Sequence, residues 1–225
     1  PAMIPLWMYP MAIAAGNSMI LKPSELDPTA GVMVSQLALE AGIPPGVVNV
    51  IHGAHDTVNF MCDAPEIKAI SFVGGNRAGE YIFARGTANG KRVQANLGAK
   101  NHAVIMPDAP REDTMAALVG AGFGAAGQRC MALTTAVFIG DAKPWMDELV
   151  TRVSKLNVNV GTHPEADVGP VISSAARQRI FSLLDSAEKE GAKILLDGRK
   201  HVVPGYENGY FVGPTIVTGV KPHMQ

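Results

Sequence analysis

Only two cysteines, Cys62 and Cys130, occur among the 225 residues, too few for a disulfide framework, and this scarcity points to a reducing compartment. An excess of charge is missing as well: 19 lysines and arginines face 20 aspartates and glutamates. With no basic block to neutralise a phosphate backbone, nucleic acid is not an expected partner. Long hydrophobic runs are also lacking. The most apolar stretch, Pro1 to Ala15, is interrupted by Pro5 and Pro10 and is too short to span a bilayer, so no membrane segment is expected. No basic region precedes it, and it does not read as a secretory signal. Internal repeats and low-complexity tracts are absent too. What is present is a hydrophobic content of 47%, enough to bury a core in one large domain or in parts of two.

Apolar, β-branched runs alternate with helical periodicity along most of the chain, which predicts an α/β fold of open, mainly parallel sheets with flanking helices. Met19–Leu21, Val47–Ile51, Ile67–Val73, Lys91–Ala95, His102–Met106 and Thr134–Ile139 have the pattern of strands, and Lys193–Leu196 and Tyr210–Val217 that of later ones. Helical spacing is expected over Thr29–Ala41 (with Asp27 and Pro28 as cap and first-turn pair), Thr57–Met61, Ala78–Arg85, Asp113–Phe123, Trp145–Leu156 and Ser174–Glu190. The pattern restarts after Gly98, so the boundary between two parts is placed between residues 97 and 98.

In open α/β sheets ligands gather at the carboxyl ends of strands, which directs attention to Lys22 and Glu25 just after the first strand. An ammonium and a carboxylate so placed can hold ribose hydroxyls, and the carboxylate would repel a 2′-phosphate. Seen alone, however, such a pair is more often a solvated surface pair. Phe72–Gly79 runs from a strand through Gly74 and Gly75 into a helix, an arrangement that turns free N–H groups toward a phosphate, although the glycine spacing is not G-x-G-x-x-G. As a bare pattern it is more often a tight turn.

Cys130 follows Gly124, Ala125, Ala126 and Gly127, small residues that leave a sulfur unobstructed. A nucleophilic role needs the thiolate, and Arg129 supplies an adjacent positive charge. His102, the nearest histidine along the chain, falls in a predicted strand and reads as a packed or surface residue. Cys62, among Val58–Met61, reads as a buried small hydrophobe. An isolated cysteine is usually structural, so the thiol alone decides nothing.

Taken together, Ala15–Glu25, Gly42–Gly53, Ser71–Gly79, Asn96–Asn101, Gly127–Cys130, Gly169–Ile172 and Tyr210–Ile216 resemble the aldehyde dehydrogenase superfamily in order and spacing. That resemblance implies a Rossmann-like NAD-binding part in residues 1–97, the later portion of such a domain, followed by an incomplete α/β catalytic part in residues 98–225. It also implies Cys130 as the nucleophile that forms a thioester, Lys22 and Glu25 as ligands of the adenosine ribose, and Gly74 and Gly75 as the turn beside the pyrophosphate. No metal site is implied. The superfamily usually has serine where Gly75 stands, so the backbone alone must serve the phosphate here. Further implications are a homo-oligomer, dimer or tetramer, and a mitochondrial matrix location for a eukaryotic source or a cytoplasmic one otherwise. The superfamily's Asn-Phe-Pro motif would end at Pro1 and its Glu-Glu-Ile-Phe-Gly-Pro segment would begin after Gln225, so the chain is expected to be an internal segment.

Asn96 departs from the hydrolytic members, which carry glutamate at that position to activate water. A carboxamide has no group titrating near neutral pH and cannot act as that base. The thioester then needs an acceptor nucleophilic in its own right, and coenzyme A fits. With the surrounding Asn96–His102 and Gly127–Ala132, this is similar to the CoA-acylating branch that oxidises malonate and methylmalonate semialdehyde, with loss of CO2 and release of acetyl-CoA or propionyl-CoA. Arg129 would then pair with the substrate carboxylate, although a structural salt bridge explains an arginine there equally well. Two alternatives stand beside this expectation: a hydrolytic NAD-dependent aldehyde dehydrogenase using another base, and a non-catalytic segment with a nucleotide-binding or structural role.

Overall fold

The computed structural model describes residues 1–225, which divide into two compact units, Pro1–Gly98 and Ala99–Gln225. In the first unit the chain opens with a helix, α1 (Met3–Ala14), and then alternates β1 (Met19–Leu21), α2 (Thr29–Glu40), β2 (Val48–Val50), α3 (His55–Asp63), β3 (Ala69–Val73), α4 (Asn76–Ala88) and β4 (Arg92–Asn96). The expected α/β alternation is present. α1 was not anticipated, because two prolines argue against a helix there. Pro5 costs little, since the N–H groups of a first turn have no intrahelical acceptor, whereas Pro10 lies inside the helix and removes one bond. Burial of Tyr9 against Ala38 and Val48, with Ile13, Met19 and Val34 around them, offsets that loss. At α2, Pro28 occupies the N-cap position itself, and no side chain caps the helix, so Asp27 does not play the capping part expected of it.

Parallel pairing follows the two crossovers. β1 and β2 pair with Met19 opposite Val48, and β3 and β4 pair with Val73 opposite Asn96. The helix α4 lies close against the strand it precedes because Gly79 and Gly86 present no side chain on that face. A Cβ on Gly79 would come within 1.9 Å of Leu97 Cδ2, and one on Gly86 within 2.7 Å of Val93 Cγ2. Lys91 is buried, yet its ammonium is satisfied by the carbonyls of Ala64 and Ile67 just beyond α3, where a cation is favoured.

The second unit contains β5 (Asn101–Ile105), α5 (Arg111–Phe123), β6 (Leu133–Phe138), α6 (Trp145–Val153), α7 (Ser174–Lys189), β7 (Lys193–Leu196) and β8 (Ile216–Thr218). β5 and β6 are parallel, with Ile105 opposite Phe138. Their core collects Ile105, Met115 and Leu118 with Trp145, Leu149 and Val153, the last three spaced along one face of α6. Outside this core Arg152 binds both Glu112 and Glu148 while Arg111 binds Glu148, so α5 and α6 are joined by ions as well as by apolar contact. Ser173 caps α7 by accepting from the Ala176 N–H at 3.1 Å. β7 and β8 depart from the parallel expectation and pair antiparallel. Of the anticipated strand over Tyr210–Val217 only the end, Ile216–Thr218, forms. Before it, Gly213 lies so close to Gly198 that a Cβ on Gly198 would sit 1.8 Å from the Gly213 oxygen.

Candidate active site

Lys22 follows β1 directly, at the carboxyl end of the β1–β2 pair. Its ammonium donates to the carbonyl of Pro23 at 2.6 Å and to that of Gly53 at 2.8 Å, and it lies 3.6 Å from a carboxylate oxygen of Glu25. The carbonyl of Gly53 reaches Lys22 because the chain turns there with φ of 141°, where a Cβ would meet the Thr57 hydroxyl at 1.9 Å. Lys22 is therefore largely buried and oriented, with a side-chain exposure of 14%, while Glu25 at 55% extends into solvent and stays free to accept. The structure thus keeps Lys22 and Glu25 as the neighbouring pair that the sequence marks.

The glycine turn and Asn96 are also brought together, by strand register. Because Val73 pairs with Asn96, the next residue, Gly74, donates its N–H to the Asn96 carbonyl at 3.1 Å. Gly75 is the N-cap of α4, no side chain caps that helix end, and nothing lies within 4 Å of where a Gly75 Cβ would be. Its φ of −74° suits any L-residue, so the backbone does not demand glycine here. The missing side chain leaves open space over an uncapped helix N-terminus, which favours an anion. Asn76 reaches back to accept from the Gly98 N–H at 2.8 Å, and this fastens the segment just beyond Asn96. The Asn96 side chain is exposed and engages no partner.

Cys130 stands at the end of a strained passage. After α5 the chain turns through Ala125 (φ 51°, ψ 34°), Ala126 (φ 54°, ψ 35°) and Gly127 (φ 72°), all left-handed. For an alanine this conformation costs roughly 1–2 kcal/mol, so other contacts must hold it. Gln128 supplies several. Its amide nitrogen donates to the Ala125 carbonyl at 3.1 Å and the Pro170 carbonyl at 3.3 Å, and its amide oxygen accepts from the Ile172 N–H at 2.9 Å. On the other flank Asn101, the first residue of β5, donates to the carbonyls of Cys130 at 2.8 Å and Ala132 at 2.9 Å. Between these anchors the thiol is free and exposed. Cys62, by contrast, is 1% exposed, and burial followed by the neighbouring Asp63 pushes its thiol pKa up.

The Arg129 guanidinium turns back toward the end of α5, where it makes one long bond to the Gly120 carbonyl at 3.4 Å and passes over Gly124, whose Cβ would be 2.6 Å from it. His102 lies in β5 with its Nδ1 2.9 Å from the Lys100 carbonyl, which accounts for the ring without a bond to the thiol. Gln128 and Asn101 were quoted in the sequence only as parts of motifs. Along the chain only Gln128 adjoins the small-residue stretch Gly124–Gly127, and no local signal singles out Asn101.

A sequence profile of the aldehyde dehydrogenase family matches residues 1–225. A relative from Rattus norvegicus, a methylmalonate-semialdehyde/malonate-semialdehyde dehydrogenase [acylating], mitochondrial, is 62% identical over 224 residues, which are 100% of this chain and 42% of the relative. Among solved structures, one from Sinorhizobium meliloti complexed with NAD superposes with a TM-score of 0.95 at 46% identity, covering 100% of this chain and 46% of that one. A betaine aldehyde dehydrogenase from Staphylococcus aureus in complex with NAD+ gives 0.89 at 32% identity, covering 97% of this chain and 44% of its own. The chain thus spans less than half the length of these relatives. Matched along its whole length, it belongs to the aldehyde dehydrogenase family.

Proposed function

We propose that this chain carries nucleotide-facing and nucleophile-bearing parts of a CoA-acylating, NAD-dependent dehydrogenase of methylmalonate or malonate semialdehyde, in which residues 1–97 serve the nucleotide and residues 98–225 the chemistry. The observation that carries the reading is Asn96, a carboxamide with an unengaged side chain in a family whose hydrolytic members use a carboxylate there. The word "acylating" in the name of the rat relative supports it. The fit to NAD rests on the open, uncapped N-terminus of α4 at Gly75 for the pyrophosphate, and on Lys22 with Glu25 for the ribose. Two related structures that hold NAD agree with that choice.

The thiolate of Cys130 attacks the aldehyde carbon, forming a C–S bond and placing negative charge on the former carbonyl oxygen. The Cys130 N–H, which has no acceptor within the chain, is the local donor for that charge. When bound, NAD supplies the acceptor for the hydride that leaves the thiohemiacetal carbon. In the resulting thioester the β-carboxylate can leave as CO2, its electron pair passing into the thioester carbonyl, and the enolate so formed takes a proton from water at its α-carbon. Asn96 offers water no base, so the acyl group waits for the thiolate of coenzyme A, which forms the new C–S bond as Cys130 departs. Arg129, held by only one long bond, can turn to pair with the substrate carboxylate.

The test is NADH formation by the intact protein with and without coenzyme A. A single-turnover burst without it and sustained turnover with it are expected. Sustained turnover to free acid at a rate coenzyme A does not raise would overturn the proposal in favour of hydrolysis.

A further inference from the structure

Resting on the reading of Cys130 as nucleophile, we infer that Asn101 is a positioning residue, which aims the Cys130 N–H at the oxygen of the attacked carbonyl by closing the turn that carries the cysteine. The Ala132 N–H donates to the Arg129 carbonyl at 3.1 Å, so residues 129–132 form a β-turn with Cys130 at its second position. The Arg129 carbonyl and the Cys130 N–H belong to one trans peptide unit, in which they point in opposite directions. With the carbonyl directed into the turn, the N–H is directed out of it. This orientation lasts only while the turn stays closed.

Asn101 closes it. Its amide nitrogen has two hydrogens and donates one to the Cys130 carbonyl at 2.8 Å and the other to the Ala132 carbonyl at 2.9 Å. Without that donor the two carbonyl dipoles face each other and repel. The amide orientation is fixed by chemistry, since its oxygen would find no hydrogen at either carbonyl. Asn101 is itself anchored by pairing opposite Leu133 and by the Thr134 hydroxyl, which donates to its carbonyl at 3.1 Å. Gln128 fixes the other flank but binds neither the carbonyl nor the N–H of Cys130. Asn101 is the side chain that binds the carbonyls of the turn itself.

Two reagents for the same sulfur separate positioning from general support. Acylation of Cys130 by p-nitrophenyl acetate forms the C–S bond, builds negative charge on the carbonyl oxygen and then expels p-nitrophenolate, with no nucleotide needed. Alkylation by iodoacetamide displaces iodide at a saturated carbon and creates no oxyanion. In the intact protein, Asn101→Ala is expected to slow the p-nitrophenolate burst by roughly 10- to 100-fold, and alkylation by less than about threefold. Asn101→Asp keeps the shape, loses both donors, and is expected to be at least as slow as alanine. Asn101→Ser returns one donor and should recover part of the burst. If alanine abolishes the cooperative thermal melt, the serine and aspartate variants carry the same comparison. Equal slowing of both reagents, or an unchanged burst in a folded variant, overturns the positioning role and leaves the nucleophile intact. Absence of any burst in the unaltered protein overturns the nucleophile reading as well.

Discussion

Asn96 and Asn101 have the same side chain and differ in how it is used. Asn96 ends β4, exposed, with its carboxamide unengaged and its backbone carbonyl accepting from the Gly74 N–H. Asn101 begins β5, half-buried, with both amide hydrogens committed to the turn around Cys130. Residue type therefore says little about role until the partners are known. Polar groups left unengaged at the end of a strand remain available to a ligand, whereas those already paired within the chain shape what the ligand meets. Gln128 belongs with Asn101 in this respect, and Arg129, held by one long bond, stands between the two.

The largest expected effect comes from giving the unengaged asparagine the missing chemistry. Asn96→Glu should restore a base for water and raise NADH turnover in the absence of coenzyme A by about 10²-fold. The same change at Asn101 should instead remove the donor and lower activity. A CoA-free rate that stays flat in the Asn96→Glu protein would mean that Asn96 is not what withholds water. A smaller effect is expected at Arg129. Loss of a charge-assisted bond of roughly 1.5–3 kcal/mol should raise KM for a carboxylated semialdehyde about 10- to 100-fold in Arg129→Ala. An uncharged aldehyde such as propanal should be handled as before, and an equal rise for both would assign the guanidinium to the end of α5 alone.

The smallest effect lies among fully paired charges away from the cysteine. The Arg152 guanidinium holds Glu112 and Glu148 below the usual carboxylate range, chiefly through hydrogen bonds, with Arg111 adding to the effect at Glu148. Because these folded-state values are lowered, the stabilisation is present above the unfolded value of about 4.3 and is lost as pH falls through the lowered ones. The melting temperature of Arg152→Ala should therefore approach that of the unaltered protein in acid and fall below it near neutrality. A gap between the two that does not change with pH would show that Arg152 acts through packing rather than charge.

Much of the architecture was legible in local pattern. The alternation of β-branched runs with helical spacing marked the strands and the helices from α2 to α7, apart from a few residues at their ends, because periodicity reports which face is buried. α1 was hidden by Pro5 and Pro10, whose local cost is outweighed by burial of Tyr9 against residues far along the chain. The strand expected over Tyr210–Val217 was shortened by close backbone contact between Gly198 and Gly213, which no local pattern announces. At the candidate site Cys130, Asn96, Lys22, Glu25, Gly74 and Gly75 were all marked in the sequence. The anchoring by Asn101 and Gln128 was not, since their partners lie in other segments.

By itself, then, the sequence determined the chemical inventory: a thiol among small residues, a carboxamide where hydrolysis would need a carboxylate, and motifs that identify the family. Those properties belong to residue identity and survive in an unfolded chain. Tertiary structure decided which polar groups are already paired, and it alone set the Cys130 turn against Asn101, turned Arg129 toward Gly120 and made β7 and β8 antiparallel. Hydrogen bonds act over about 3 Å, so groups distant in the chain interact only after folding has brought their backbones into register.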